Sequence, residues 1–431
     1  MLYQNLEINN AGHLCFAGQD TVLLAEQHGT PLMLLDEAVI RNRCRIYKKA
    51  LEDFFPAGSM PLYASKALSF KHVYRIAAQE QIGVDVVSSG ELYTALQAGF
   101  PMERVYFHGN NKTDFDIRFA IENHIGFFVC DNATELDCIE QEAARQGIVQ
   151  KILLRLTPGI DPHTHQKINT GSTESKFGVA METGQAEELV VQALSKSHVQ
   201  LCGYHCHIGS QIFNHTPFCD AAVMMLEFIQ KIRCKYGYTA AILNLGGGMG
   251  VPYTKDDPTI DYYEAIRNIS ILIADTCRQL DIPVPVILME PGRSLVADAG
   301  ITLYTVGSTK KIPGYKNYVS IDGGMADNPR YTLYEAQYTI HAANRMNDTP
   351  DLLCTIGGRC CESGDLIQED VLLPELQRGD LLAVLTTGAY NYSMASNYNR
   401  LPRPAVVMIG ENGPYTVVRR ESLADLILND L

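Results

Sequence analysis

No stretch of this sequence approaches the ~20 consecutive apolar residues that a membrane-spanning helix needs, so membrane insertion is not expected. Positive charge is also short. Only 35 Lys and Arg stand against 49 Asp and Glu, a formal net charge of −14. Nucleic acid and anionic membrane both require cationic surface, so neither is an expected partner. The opening residues Met1-Leu-Tyr-Gln-Asn-Leu-Glu lack the basic start and apolar stretch of a signal peptide, which predicts a cytoplasmic protein. There is no internal repeat, low-complexity tract or flexible linker.

Cysteine is not scarce, but its 12 copies are scattered through a large chain without a leader. That distribution fits buried apolar residues of a reduced protein better than a disulfide framework. Cys202 and Cys206 with His205 and His207 could be read as a metal cluster. At strand period two the cysteines point away from the histidines, so no metal is expected. Vicinal Cys360-Cys361 could form a redox pair, but only one of two adjacent strand residues faces a given side.

With 46% hydrophobic and 19% charged residues the composition is that of a globular protein, and 431 residues predict roughly two to three domains. Residues 1–30 read as a β segment with a turn at Asn9-Asn10-Ala11-Gly12. Pro31 to Leu35 reads as a strand, followed by an amphipathic helix from Glu37 to Phe55 with Asp36 as its N-cap. A β/α alternation then runs to Glu290, with strands predicted near 61–65, 83–87, 104–107, 126–130, 151–156, 199–205, 241–245 and 285–289. Ser88 with Glu91, and Asn132 with Glu135, have capping-box spacing.

Eight strand–helix units are the count of a (β/α)8 TIM-type barrel, so the expected class is α/β, with the barrel over 31–298. An open doubly wound sheet is the alternative, but no Gly-x-Gly-x-x-Gly follows the first strand. Beyond Gly300, short Val-, Ile- and Tyr-rich runs broken by Gly and Pro predict a C-terminal β domain over 299–431.

In a barrel of this kind chemistry gathers at the C-terminal strand ends. Lys66 stands there after the first strand, where an ammonium has no packing reason to be. At strand period two it shares a face with Leu62 and Ala64, and desolvation would lower its pKa, as an amine that bonds covalently to a carbonyl requires. A rim lysine snorkelling to water is the plainer reading. Asp85, His108-Gly-Asn, Arg155, His205, His207 and Gly209-Ser210-Gln211 crowd the following strand ends. Gly246-Gly247-Gly248 and Glu290-Pro-Gly292-Arg293 close the series. Loops after strands seven and eight often hold phosphate, and glycine backbone with a helix start, Ser210 and Arg293 supplies the donors. A tight turn would need the same glycines. Phosphate plus a strand-end lysine points to pyridoxal phosphate, with Glu290 against the pyridine nitrogen and His207 on the ring face.

These clusters, in this order, resemble the diaminopimelate decarboxylase family, within the alanine racemase/ornithine decarboxylase-like class of pyridoxal phosphate enzymes. Tyr63-Ala-Ser-Lys-Ala, His205-Cys-His-Ile-Gly-Ser-Gln, Gly246-Gly-Gly and Glu290-Pro-Gly-Arg carry the likeness in the barrel. Asp327-Asn-Pro-Arg-Tyr-Thr-Leu-Tyr, Cys361-Glu-Ser-Gly-Asp and Gly388-Ala-Tyr-Asn-Tyr-Ser carry it beyond. The likeness covers essentially the whole chain. Its one small departure is Ser65-Lys66-Ala67-Leu68, where many relatives have valine before the lysine and asparagine after the alanine.

The resemblance implies decarboxylation of meso-2,6-diaminopimelate to L-lysine, with Lys66 as covalent anchor and Cys361 or Lys66 as the proton donor. It implies cofactor contacts from Asp85, His207, Ser210, Gly247, Gly248, Glu290, Gly292, Arg293 and Tyr390. Substrate contacts would come from Arg293, Arg330, Tyr334, Glu362 and Tyr390. It also implies a homodimer whose sites each borrow Cys361 and Glu362 from the partner, and an N-terminal segment that joins the C-terminal β domain. Recognising the distal amino acid group takes a cation and an anion, here Arg330 or Arg293 and Glu362, whereas a simple diamine decarboxylase needs only the anion. Rival readings are a decarboxylase of another basic amino acid or of carboxynorspermidine, a racemase, a silent cofactor-binding homologue, and, most remote, a metal-dependent hydrolase. The stretch Asp161 to Gly178 is expected to cover the site.

Overall fold

A computed structural model describes residues 3–160 and 175–431. The proposed cover falls mostly on residues 161–174, outside the described ones. Contact clustering divides the chain into two compact units. One comprises residues 41–250 and 259–294, the other residues 1–40, 251–258 and 295–431.

The first unit is a closed barrel of eight parallel strands. In chain order they are β1 (Met60–Ala64), β2 (Gly83–Val86), β3 (Val105–Phe107), β4 (Phe127–Cys130), β5 (Gln150–Thr157), β6 (Val199–His205), β7 (Ile242–Asn244) and β8 (Val286–Met289). Each pairs with its neighbours in sequence order, and β8 with β1 closes the ring. Leu62, Tyr106, Val129, Leu153 and Leu288 fill the barrel interior. Tyr106 stacks on Phe127, with ring centroids 4.6 Å apart and planes 4° apart.

Helices follow the strands where the capping signals placed them. Ser88 Oγ accepts from Glu91 N at 3.2 Å, and Asn132 Oδ1 from Glu135 N at 3.0 Å. Gly99 and Gly147, both in the left-handed region, end those two helices. In neither does the glutamate complete the predicted box. Glu91 accepts from Ser65 Oγ and Val87 N, and Glu135 is taken by the buried Lys112.

The second unit is built on a mixed sheet. The strand expected at 31–35 forms as Leu32–Asp36, with Asp36 Oδ1 capping the next helix at Ala38 N. It lies between Gly300–Lys311, antiparallel, and Ala405–Gly410, parallel. All five of its residues are buried. Leu6, Leu14, Phe16 and Leu24 share one apolar core with Leu32, Leu34, Ile301, Leu303 and Val407.

Residues 1–30 are not purely β. Leu6–Ile8, Leu14–Phe16 and Gln19–Asp20 pair as predicted around the Asn9–Gly12 turn, but Thr21–His28 is helical. Asp20 Oδ1 accepts from Val22 N at 2.8 Å, so a local cap outweighs the strand preference of Val22-Leu23-Leu24. No helix among the described residues is long and apolar enough to cross a membrane.

Candidate active site

Lys66 does not continue the β1 strand. Ser65–Ala67 form a single 3-10 turn, with Leu68 N donating to Ser65 O at 3.1 Å. The strand-period alignment of Lys66 with Leu62 and Ala64 is therefore lost, and Lys66 is exposed while Ser65 and Ala67 are buried. Strand neighbours do not enclose it; the turn leaves the residue exposed at the C-terminal end of β1.

The turn itself is pinned. Tyr63 OH donates to Leu68 O at 2.7 Å, and Ser65 Oγ to Glu91 Oε2 at 2.9 Å. A Cβ on Gly292 would press on Ala64 and Ala67, each at 3.2 Å or closer, which explains glycine in Glu-Pro-Gly-Arg. The Lys66 ammonium acts on Asp85, Glu91 and His207, favouring the charged form of the first two and opposing charge on the third.

Glu290 follows β8 and is buried. Three nitrogen groups surround its carboxylate. Asn244 Nδ2 donates to Oε1 at 2.6 Å, His108 Nε2 lies 2.8 Å from Oε1, and His205 Nε2 lies 3.2 Å from Oε2. Burial alone would raise its pKa, but His108 and His205 outweigh burial and hold it well below the usual carboxylate range. Burial pushes His205 down to about 4, so near neutral pH it is an uncharged donor. Asp85, 3.8 Å from His108 Nε2, is pushed up to about 6 by burial, partly offset by His108. One carboxylate of the pair is thus kept charged and the other poised to hold a proton.

His108, His205 and Glu290 also present atoms within 4.8 Å of one another, as a metal site would. The amide of Asn244 decides between the readings. Its Oδ1 accepts from Gly246 N at 2.9 Å, which turns its N–H donors onto Glu290. A carboxylate already surrounded by donors is set to meet one more N–H, such as a protonated ring nitrogen, rather than a cation.

His207 is half-buried, and burial of its ring, then Lys66, pushes its pKa well down. Its Nδ1 accepts from Gly247 N at 3.3 Å, so the imidazole is neutral and its orientation fixed. The triplet packs backbone against backbone. A Cβ on Gly247 would overlap the Glu290 carbonyl, and one on Gly248 the Gly209 carbonyl. Arg293 Nη2 and Nε donate to Ser210 Oγ at 3.1 and 3.3 Å. The predicted helix start behind the triplet is absent: the next helix begins at Tyr262, and Arg293–Val296 is a single turn. Any phosphate here relies on backbone N–H, Ser210 and Arg293 rather than on a helix end. An exposed amine, a neutral imidazole, a charged carboxylate and oxyanion donors are a set of groups that fits pyridoxal phosphate.

The remaining predicted residues belong to the second unit. Arg330 is buried and begins the short helix Arg330–Tyr334, with Tyr334 half-buried at its end. Tyr390 holds φ at 60°, which a bulky residue avoids without a surrounding constraint. Cys361 and Glu362 are exposed, while Cys360 is buried, so the two sulfurs are differently placed. Cys361 N donates to Asn399 Oδ1 at 2.7 Å.

Four residues of importance went unassigned in the sequence. Asn244 reads as an ordinary turn residue, and Glu91 as a helix cap. His108 was visible as a strand-end residue but had no partner to give it a role. Asp365 organises the cysteine loop, its carboxylate accepting from Cys360 N at 2.6 Å and Met325 N at 2.5 Å.

Residues 37–297 match the family model described as "Pyridoxal-dependent decarboxylase, pyridoxal binding domain". Diaminopimelate decarboxylase of Bacillus subtilis (strain 168) is 47% identical over 425 residues, 98% of this chain and 96% of the relative. The Staphylococcus aureus (strain COL) protein of that name is 42% identical, covering 99% of each chain. Among solved structures, diaminopimelate decarboxylase from M. jannaschii in complex with L-lysine superposes with a TM-score of 0.90. It shares 35% identity, over 99% of this chain and 98% of that one.

Proposed function

Because the chain belongs to the diaminopimelate decarboxylase family, a family of pyridoxal phosphate-dependent carboxy-lyases, we propose that it converts meso-2,6-diaminopimelate to L-lysine and carbon dioxide. The observation that carries this reading within the molecule is the donor-surrounded, charged carboxylate of Glu290 at the barrel mouth. A racemase on such a barrel gains from a ring nitrogen left unprotonated, whereas a decarboxylase gains from a carboxylate that keeps the proton there.

The cofactor, when bound, supplies the electron sink for breaking a bond at the substrate α-carbon. Lys66 would hold its aldehyde carbon through the side-chain amine. Glu290, with Asp85 near it, would hold the proton of the ring nitrogen, and His207 would support the ring. Ser210, Gly247, Gly248, Gly292, Arg293 and Tyr390 hold the phosphate. Arg330, Arg293, Tyr334, Tyr390 and Glu362 would grip the substrate and orient its departing carboxylate. Cys361, or Lys66, delivers the proton that replaces it. The working form is a homodimer in the cytoplasm, with Cys361 and Glu362 lent to the partner's site.

The test is carbon dioxide release from meso-diaminopimelate, with and without added pyridoxal phosphate, and identification of L-lysine as product. Preferred turnover of ornithine, arginine or carboxynorspermidine in the same panel would overturn the substrate assignment.

A further inference from the structure

Arg330 is 6% exposed, and among the described residues no Asp or Glu oxygen lies within ion-pair distance of it. A guanidinium taken out of water without a carboxylate is costly unless something else holds it. Here two tyrosines do. The guanidinium carbon stands 4.8 Å from the Tyr253 ring centroid and 5.8 Å from that of Tyr338. Both are within the range of cation–π attraction. Arg330 Nη1 also donates to Tyr338 OH at 3.1 Å.

The two rings brace each other edge to face, with centroids 5.6 Å apart and planes at 69°. Each is anchored from behind. Tyr338 OH lies 3.2 Å from both Asn328 Oδ1 and Asn391 Oδ1, and Tyr338 N donates to Gln368 Oε1 at 2.6 Å. The Tyr253 carbonyl accepts from Thr339 Oγ1 at 2.9 Å, and Asp257 Oδ2 caps Tyr253 N at 2.7 Å. Both tyrosines are buried. Aromatic faces stabilise the charge without occupying its in-plane N–H fork, and a single hydroxyl takes only one of its donors. The rest of the fork is kept for a carboxylate.

We propose that Tyr253 and Tyr338 are positioning residues that hold Arg330 charged, rigid and unpaired, and so set selectivity for substrates with a distal carboxylate. This rests on the proposed function, in which Arg330 receives that carboxylate. Tyr253 lies in a loop that no family motif singled out, and its contribution is a ring face rather than a polar contact to substrate.

The test uses the holoenzyme and two probes measured by isothermal titration calorimetry: L-lysine, which keeps an amino acid carboxylate, and cadaverine, the same chain without it. In Tyr253→Leu and Tyr338→Phe, L-lysine affinity is expected to fall about tenfold or more while cadaverine affinity changes less than twofold. Tyr253→Phe, which keeps the ring face, is expected to restore binding of L-lysine. Unchanged discrimination in Tyr253→Leu, equal weakening of both probes, or failure of Tyr253→Phe to restore binding would each overturn the inference. These outcomes are independent of the proposed reaction, which stands or falls on carbon dioxide release by the parent enzyme.

Discussion

The amide of Asn244 ties Glu290 to the glycine triplet: Nδ2 donates to Glu290 Oε1 at 2.6 Å while Oδ1 accepts from Gly246 N at 2.9 Å. One side chain at the end of β7 thus sets both the orientation of the carboxylate proposed to meet the ring nitrogen and the start of the segment proposed to hold phosphate. Asn244→Asp keeps the acceptor but sets a second carboxylate against the first. Losing a hydrogen bond to a buried charge costs about 1.5–3 kcal/mol, so pyridoxal phosphate affinity should drop roughly 10- to 100-fold. Absorbance titration of the apoenzyme measures it, and wild-type affinity in Asn244→Asp would refute the link.

Lys66→Ala should abolish carbon dioxide release and leave no borohydride-stable cofactor adduct on the chain. The turn around it is fastened by Tyr63 and Ser65, so the variant should keep the parent's Tm within a few degrees. Parental turnover in the variant would remove Lys66 from the chemistry.

Lys112 is a buried cation with three acceptors: Gly109 O at 2.9 Å, Val129 O at 2.8 Å and Glu135 Oε1 at 2.7 Å. Lys112→Met leaves Glu135 buried and uncompensated, an expected loss of about 3–5 kcal/mol. Lys112→Met with Glu135→Leu should recover most of that loss in chemical denaturation. If the double variant is no more stable than the single one, the cost lies in the two carbonyls rather than in the charge.

Asp327 is buried, and burial pushes its pKa up to about 7, opposed by hydrogen bonds from Tyr304 OH and Gly324 N. A carboxyl whose folded pKa is raised contributes stability that is fully present below its unfolded pKa of 3.8. That contribution is lost as pH rises through about 7. Asp327→Asn does not titrate, so the fall in Tm between pH 5 and pH 8 should be smaller in the variant than in the parent. Parallel Tm profiles would show that Asp327 stays in one protonation state across that window.

The barrel was legible because each of its strands is a short apolar run bounded by glycine or polar residues, and because Ser88 and Asn132 cap where their spacing said they would. The helix at Thr21–His28 was hidden by its Val-Leu-Leu start; only the Asp20 cap, which accepts from Val22 N and Leu23 N, betrays it. Lys66, Glu290, Ser210 and Arg293 stood out because charge or hydroxyl at a strand end needs a reason. Asn244 and Glu91 did not, since each had an ordinary local explanation in turn or cap chemistry. What the sequence could not convey is which partner such a residue prefers once distant strands become neighbours. Glu91 leaves its own helix end for Ser65, and Asn244 reaches across from β7 to the end of β8.

The strand Leu32–Asp36 has a consequence for how the chain is made. It is apolar along nearly its whole length, and its two sheet neighbours, Gly300–Lys311 and Ala405–Gly410, are both synthesised only after the barrel. Throughout translation of the barrel this strand leaves the ribosome with both edges unpaired. Pairings this distant in sequence close slowly and expose an aggregation-prone edge until they do. A chain truncated before Ala405 would leave one edge of Leu32–Leu35 permanently unpaired, so nascent-chain solubility depends on strands that emerge after the barrel rather than on the barrel.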